Sequence, residues 1–243
     1  MDWMLGAFFV MALFAAILST LAGFGSALIL ISATSLMFDI KWSIALTSFF
    51  YFYNTSLKTY YLKPYINWPL VFKLSLLSIP GVFIGAYSLL FLDANWLVFI
   101  LAAMSLLYLV IDLFRLMPNY KVSDNVLILT GFIYGLVSGA VGSGSLIKAL
   151  VFKQLALKKE TFVASMAASA LPLNIIKISI FTWASLVAFE DMSYLIVLLL
   201  ASYLGTHIGK YYLSKLKQKW FDHLVRLILL MLSISLIFKA ISN

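Results

Sequence analysis

Ser19-Thr20-Leu21-Ala22-Gly23-Phe24-Gly25-Ser26 and Ser138-Gly139-Ala140-Val141-Gly142-Ser143-Gly144-Ser145 share one pattern, S-x-x-x-G-x-G-S. Each lies inside an apolar stretch of about 35 residues, which as a straight helix is roughly 50 Å long against a hydrocarbon core of ~30 Å. Glycine lacks a Cβ and leaves helical geometry cheaply, so both stretches are expected to break there and expose backbone N–H groups. Inside a membrane such groups are tolerated only where protein or a ligand satisfies them. A break that occurs twice points to a duplicated membrane protein with a central site.

Composition agrees. Of 243 residues, 64% are hydrophobic and only 11% charged, about half the charged fraction of a soluble domain. Apolar runs of membrane-spanning length recur from end to end, and no segment is polar enough for a soluble domain. The chain has no cysteine, which excludes disulfides and thiolate metal sites. Met1-Asp2-Trp3-Met4 lacks the basic region of a cleaved secretory signal, so the first helix is read as retained. The net charge of +8 reads as lysine collected in cytoplasmic loops rather than as a nucleic-acid surface.

Charged and turn-forming residues divide the chain into eight apolar blocks at 3–38, 42–62, 69–92, 95–116, 124–157, 160–184, 191–214 and 220–241. All six tryptophans lie at or near block ends, the position of interfacial anchors. The repeat extends beyond the opening motif: Ser26 matches Ser145 at a shift of 119, and Gly81/Gly85 match Gly205/Gly209 at 124, as Trp96 matches Trp220. The expected fold is therefore an all-α polytopic membrane protein of eight transmembrane helices, in two four-helix repeats over 1–118 and 119–243. Helices 1 and 5 are broken at Gly-x-Gly-Ser. Four crossings per copy make the repeats parallel. Loops 1–2, 3–4, 5–6 and 7–8 then carry Lys41, Lys153, Lys158, Lys159, Lys210, Lys215, Lys217, Lys219 and Arg226. The other face holds Lys58, Lys63, Lys73, Arg115, Lys121 and Lys239. The first face is expected to be cytoplasmic, with both termini outside.

Uncapped helix starts attract anions. Gly23, Phe24, Gly25 and Ser26, with Gly142, Ser143, Gly144 and Ser145, are therefore candidate substrate-binding residues near mid-membrane. Ser26 and Ser145 would cap the second half-helices. Close helix packing is the competing explanation for small-residue spacings, and it is preferred for Gly81/Gly85 and Gly205/Gly209. Lys148 lies one turn after Ser145 and, with Asn174 and Lys177, completes the candidate set, since an ionisable residue at depth is costly. Lys58 sits nearer a block end, where snorkelling competes. His207 is the candidate for a proton-linked step. The aspartates and glutamates fall in loops or near block ends, which argues against a carboxylate relay or sodium cage. No metal, cofactor or enzyme motif is present.

The two ordered copies of S-x-x-x-G-x-G-S, each opening a four-helix unit in an all-membrane chain, resemble the sulfite exporter TauE/SafE family of the toluene-sulfonate uptake permease superfamily. The resemblance covers essentially the whole chain. It implies a secondary transporter of sulfite, sulfonates or related organosulfur anions. The substrate is expected near mid-membrane between the repeats, moved by alternating access, in the bacterial inner (cell) membrane. A small anion and the lipid bilayer are the expected partners, with no nucleic acid; a homodimer is left open. The alternatives are a carrier for a different small anion, a non-transporting membrane scaffold or assembly protein, and an intramembrane enzyme.

Overall fold

The computed structural model describes residues 2–35, 37–113 and 122–217, together with helical positions 220, 223, 227, 230, 231 and 234. Ten α-helices are laid out in these residues. They are α1 (Asp2–Ala22), α2 (Ser26–Thr34), α3 (Ile40–Tyr61), α4 (Trp68–Leu89), α5 (Ala94–Leu113), α6 (Asp124–Val141), α7 (Ser145–Gln154), α8 (Lys159–Ala168), α9 (Leu171–Trp183) and α10 (Met192–Lys215). Five segments are long and apolar enough to cross a membrane, α8 and α9 counting together as one. Most of the block expected at 220–241, and the expected repeat boundary at 118/119, lie outside the described residues.

Chain direction follows from pairs of contacts. Phe8 packs near Trp42 and Tyr194, while Ser19 meets Asn54 and Lys58, and Asn54 meets Thr206. Helices α1, α3 and α10 therefore run the same way. In the opposite group, Gly81 faces Phe132 and Gly139 faces Val82 and Ala86, so α4 and α6 run together. Asn67 at the start of α4 bonds to Ser165 of α8, and Tyr87 near its end stacks on Trp183 at the end of α9. Between the groups the order inverts: Tyr51 lies by Lys177 and Thr55 by Asn174, so α3 and α9 are antiparallel.

At each glycine motif the chain turns back on itself. Phe38, beyond α2, packs 5.3 Å from Phe8 near the start of α1. Leu30 shares a buried cluster with Ala12, Ala15 and Ala16. A continuing helix would have carried both residues away from α1. Likewise Gly144 abuts the Tyr134 carbonyl and the Ser138 amide, and Lys148 lies over the Tyr134 ring. So α1–α2 and α6–α7 are helical hairpins, not the two halves of one crossing. The reading that made both copies enter the membrane from one side fails at this point. We call the face where α3 starts the first face and the face where it ends the second.

Small residues hold the opposed helices close. A methyl group at Gly81, Gly85, Gly131, Gly135 or Gly139 would collide with backbone of the facing helix in the α4–α6 pair. At Gly205 it would meet the Ala16 Cβ and the Leu13 carbonyl of α1. This is the backbone-to-backbone contact expected of small-xxx-small spacings. On the opposite side of α4, Phe72, Leu76, Ile79 and Phe83 are exposed, an outward apolar stripe suited to lipid.

Candidate functional site

The two breaks are made by backbone that favours glycine. Gly23, Gly25 and Gly142 have φ of 87°, 96° and 82°, a left-handed region that costs other residues roughly 1–2 kcal/mol. Gly144 has an ordinary φ of −113°; its requirement is space against Tyr134. The N-caps of α2 and α7 are Gly25 and Gly144, and neither start carries a side-chain cap bond. Capping by Ser26 and Ser145 is thus not found: each is the first helical residue. Ser26 Oγ is buried with no partner, and Ser145 Oγ lies 3.1 Å from Ser143 Oγ.

The breaks are not at one depth. Gly23 lies against Phe162, three residues into α8, towards the second face; Gly142 lies against Ile44, near the start of α3 and the first face. The hairpin tips thus lie on opposite sides of the middle of the bundle.

Between them three lysines are enclosed: Lys58 is 2% exposed, and Lys148 and Lys177 are 0% exposed. Each ammonium donates to a carbonyl at the C-terminal end of an interrupted helix. Lys58 Nζ reaches Ser19 O at 3.3 Å and Ser19 Oγ at 3.0 Å, in the last turn of α1. Lys177 Nζ reaches Gly142 O at 2.9 Å, the C-cap of α6. Lys148 Nζ reaches Met166 O at 2.7 Å in α8, Ser169 Oγ at 2.9 Å and Tyr134 Oη at 3.3 Å. Cations at helix C-termini offset the negative end of the helix dipole and its unpaired carbonyls. That explains how these charges are held in the interior, where none of the three has a carboxylate partner among the described residues.

The acceptor for Lys148 is itself a product of local sequence. Pro172 sits in the first turn of α9 and cannot extend the helix regularly backwards. The chain turns at Ser169-Ala170, and the Ala170 N–H goes to Ala167 O. Met166 O is thereby available to the ammonium. This interruption between α8 and α9 lies inside a block expected to be one helix.

Of the expected site residues, Lys148, Asn174 and Lys177 are buried in the interior with Ser26, Ser143 and Ser145. Asn174 donates to Thr55 Oγ1 at 3.4 Å and leaves its own Oδ1 without a partner. Lys148 bonds across to α6 and α8 rather than to Ser145. His207 does not belong to the interior: it is exposed, between Tyr61 and Tyr203. It borders a cavity of about 570 Å³ with Tyr65, Glu160 and Lys210 at the second face. Thr206, one residue earlier, is the inward-facing group, accepting from Asn54 at 2.8 Å. Lys58, for which snorkelling competes in the sequence, is about as enclosed as the other two lysines.

Among the described residues the interior therefore joins three ammonium groups, two helix starts without side-chain caps, and unpartnered hydroxyl and amide oxygens, with no acid against the lysines. That balance favours a negatively charged guest. A model of the sulfite exporter TauE/SafE family matches residues 8–236. No curated protein and no solved structure gives a significant match. The match takes in both hairpins and all three lysines, and the chain belongs to the sulfite exporter TauE/SafE family, a family of membrane anion transporters and not of enzymes.

Proposed function

We propose that the chain is a secondary transporter of small sulfur oxyanions, sulfite or an organosulfonate, bound in the interior between two hairpin-led repeats. The observation that carries this reading is the enclosure of Lys148 and Lys177 without a carboxylate partner among the described residues. Leaving an ionised group inside protein without an opposite charge is expensive, and a bound oxyanion would supply that charge. Lys148 and Lys177 would bind it. The N–H groups at Ser26 and Ser145, the Ser143 hydroxyl and the Asn174 amide would orient its oxygens, and Gly23, Phe24, Gly25, Gly142 and Gly144 would shape the two turns.

The repeats in this reading are inverted. A hairpin followed by three crossings is an odd count, so the second copy starts from the second face. Thr55 and Asn174 are 119 residues apart and bond to each other, and the same shift relates Ser26 to Ser145 and Lys58 to Lys177. Equivalent residues touch each other at a two-fold axis. Since α3 and α9 are antiparallel there, the axis lies in the membrane plane, as in inverted-repeat transporters. Alternating access then exchanges the conformations of the two copies.

Recounting charge on this topology sharpens the orientation. Among the described residues Lys63, Lys73, Lys153, Lys158, Lys159, Lys210, Lys215 and Lys217 lie towards the second face, against Lys41 at the first. The second face is cytoplasmic and the N-terminus outside. Cysteines introduced at Lys63 and Lys158 should both react with an impermeant maleimide from the cytoplasmic side only. Parallel repeats would expose them on opposite sides.

Transport itself is tested in proteoliposomes loaded with labelled sulfite. Protein-dependent efflux, saturable and competed by sulfonates, is the expected result. Vesicles no leakier than protein-free controls would refute the transport reading. Sulfite should also raise the unfolding temperature of the purified protein in proportion to the logarithm of its concentration above Kd.

A further inference from the structure

We propose that Lys58 is the third ammonium group of the substrate site, and that the site is thereby built for a doubly charged oxyanion over a singly charged one of the same shape. The inference rests on the transport reading above.

Three observations carry it. First, Lys58 and Lys177 stand in equivalent places. They are 119 residues apart, each lies three residues after a member of the touching pair Thr55 and Asn174, and each ammonium holds the end of a helix leading into a hairpin. A residue that binds substrate from one copy has a twin facing the same axis from the other. Second, Lys58 shares a face of α3 with Tyr51, seven residues earlier, and Lys177 lies 5.4 Å from that ring. Lys177 thus packs against the face of α3 that carries Lys58. Third, the polar groups linked to Lys58 among the described residues are neutral: Ser19 of α1 bonds it directly, Asn54 of α3 bonds Ser19, and Thr206 of α10 bonds Asn54. Helix C-termini offset only about half a charge each, while the uncapped starts of α2 and α7 add about half a charge each, so the three lysines leave a surplus of about +2.5 that two negative charges balance more nearly than one.

A snorkelling lysine would reach the interface instead. Lys58 turns inward to Ser19 although it is one turn from the end of α3. A purely structural cap would serve equally well as a neutral donor, and the test turns on that difference.

Thiosulfate and methanesulfonate present the same three oxygens around sulfur but carry two and one negative charges. Labelled fluxes of both are measured with wild-type protein, Lys58→Gln and Asn54→Asp. Glutamine keeps a donor for Ser19 but no charge. Asn54→Asp is isosteric and places a carboxylate one turn before Lys58, cancelling its charge while the lysine stays. Wild type should prefer thiosulfate, and each variant should lower the thiosulfate-to-methanesulfonate ratio by about tenfold, the effect of ~1.4 kcal/mol. A misfolded or loosened protein would lower both fluxes and leave the ratio alone. An unchanged ratio in the variants overturns the proposal, as does a wild type that carries the monoanion as well as the dianion; transport itself then stands. If wild type carries neither anion nor sulfite, the transport reading falls and this proposal with it. Should Lys58→Gln fail to fold, the Asn54→Asp ratio decides.

Discussion

Lys148→Gln is expected to lower sulfite flux by about 100-fold while leaving a folded protein. The ammonium is held by Met166 O, Ser169 Oγ and Tyr134 Oη, within 4.4 Å of the tyrosine ring centroid. These partners fix its position but none carries a charge. A charge-assisted hydrogen bond to an ionised guest contributes about 1.5–3 kcal/mol, which is roughly 10- to 150-fold in affinity. Loss of the screened long-range attraction adds to that. The same substitution removes an enclosed charge that has no carboxylate partner among the described residues, so the ligand-free protein gains in desolvation what it loses in hydrogen bonding. Its unfolding temperature should therefore stay within about 4 °C of wild type, a shift of ~1 kcal/mol at this length. The sulfite-dependent rise in unfolding temperature should disappear. If flux survives, or if flux and ligand-free stability fall together, Lys148 is a structural residue and the site has been misassigned.

The second large effect concerns the hairpins. Gly142→Val should yield protein that unfolds about 5–20 °C below wild type or is lost from the membrane fraction. Its φ of 82° is left-handed, and a Cβ would come within 2.7 Å of Ile31 Cδ1 and 2.9 Å of Ile44 Cγ2. The backbone term is ~1–2 kcal/mol and overpacking adds ~1–3 kcal/mol. Each kcal/mol shifts a chain of this length by about 2–4 °C. Displacing Gly142 also removes the carbonyl that holds Lys177. Gly144→Ala should fail for another reason, since its φ is ordinary and the new methyl would meet the Tyr134 carbonyl. A Gly142→Val protein as stable as wild type would mean that the left-handed turn is not needed.

Much of this architecture is legible in the sequence. The excess length of the apolar stretches and the doubled Gly-x-Gly locate both breaks to the residue, and the spacing of Gly81/Gly85 and Gly205/Gly209 identifies packing faces. The direction taken after each break is not legible locally. A Gly-x-Gly permits either a kink or a reversal, and about 35 apolar residues suit a kinked crossing or a helix with a returning half-helix. The choice is made by distant partners: Phe38 on Phe8, and Gly144 under Tyr134. Charge carried a usable signal, because reversal gathers Lys63 and Lys73 onto the face of Lys158, Lys159 and Lys215.

Two residues stand elsewhere than the sequence suggests, for readable reasons. Gly205 and Gly209 face α1, and a residue midway between them points the other way on a helix. His207 is therefore turned outward and Thr206 inward. Lys58 lies near a block end, where snorkelling competes, yet it stands 119 residues from Lys177, the same shift that relates Ser26 to Ser145. The interruption at Ser169-Ala170 was announced by Pro172 but masked by an otherwise continuous apolar run.

The central claim is that an oxyanion sits among the buried lysines between the two hairpins. It is tested most directly by determining the structure with selenite, a sulfite analogue, and locating selenium by its anomalous scattering. The account predicts one selenium peak in the interior, within hydrogen-bonding reach of Lys148 and lost in Lys148→Gln. Selenium found only at the second-face surface, or none at a concentration that saturates flux, would contradict it.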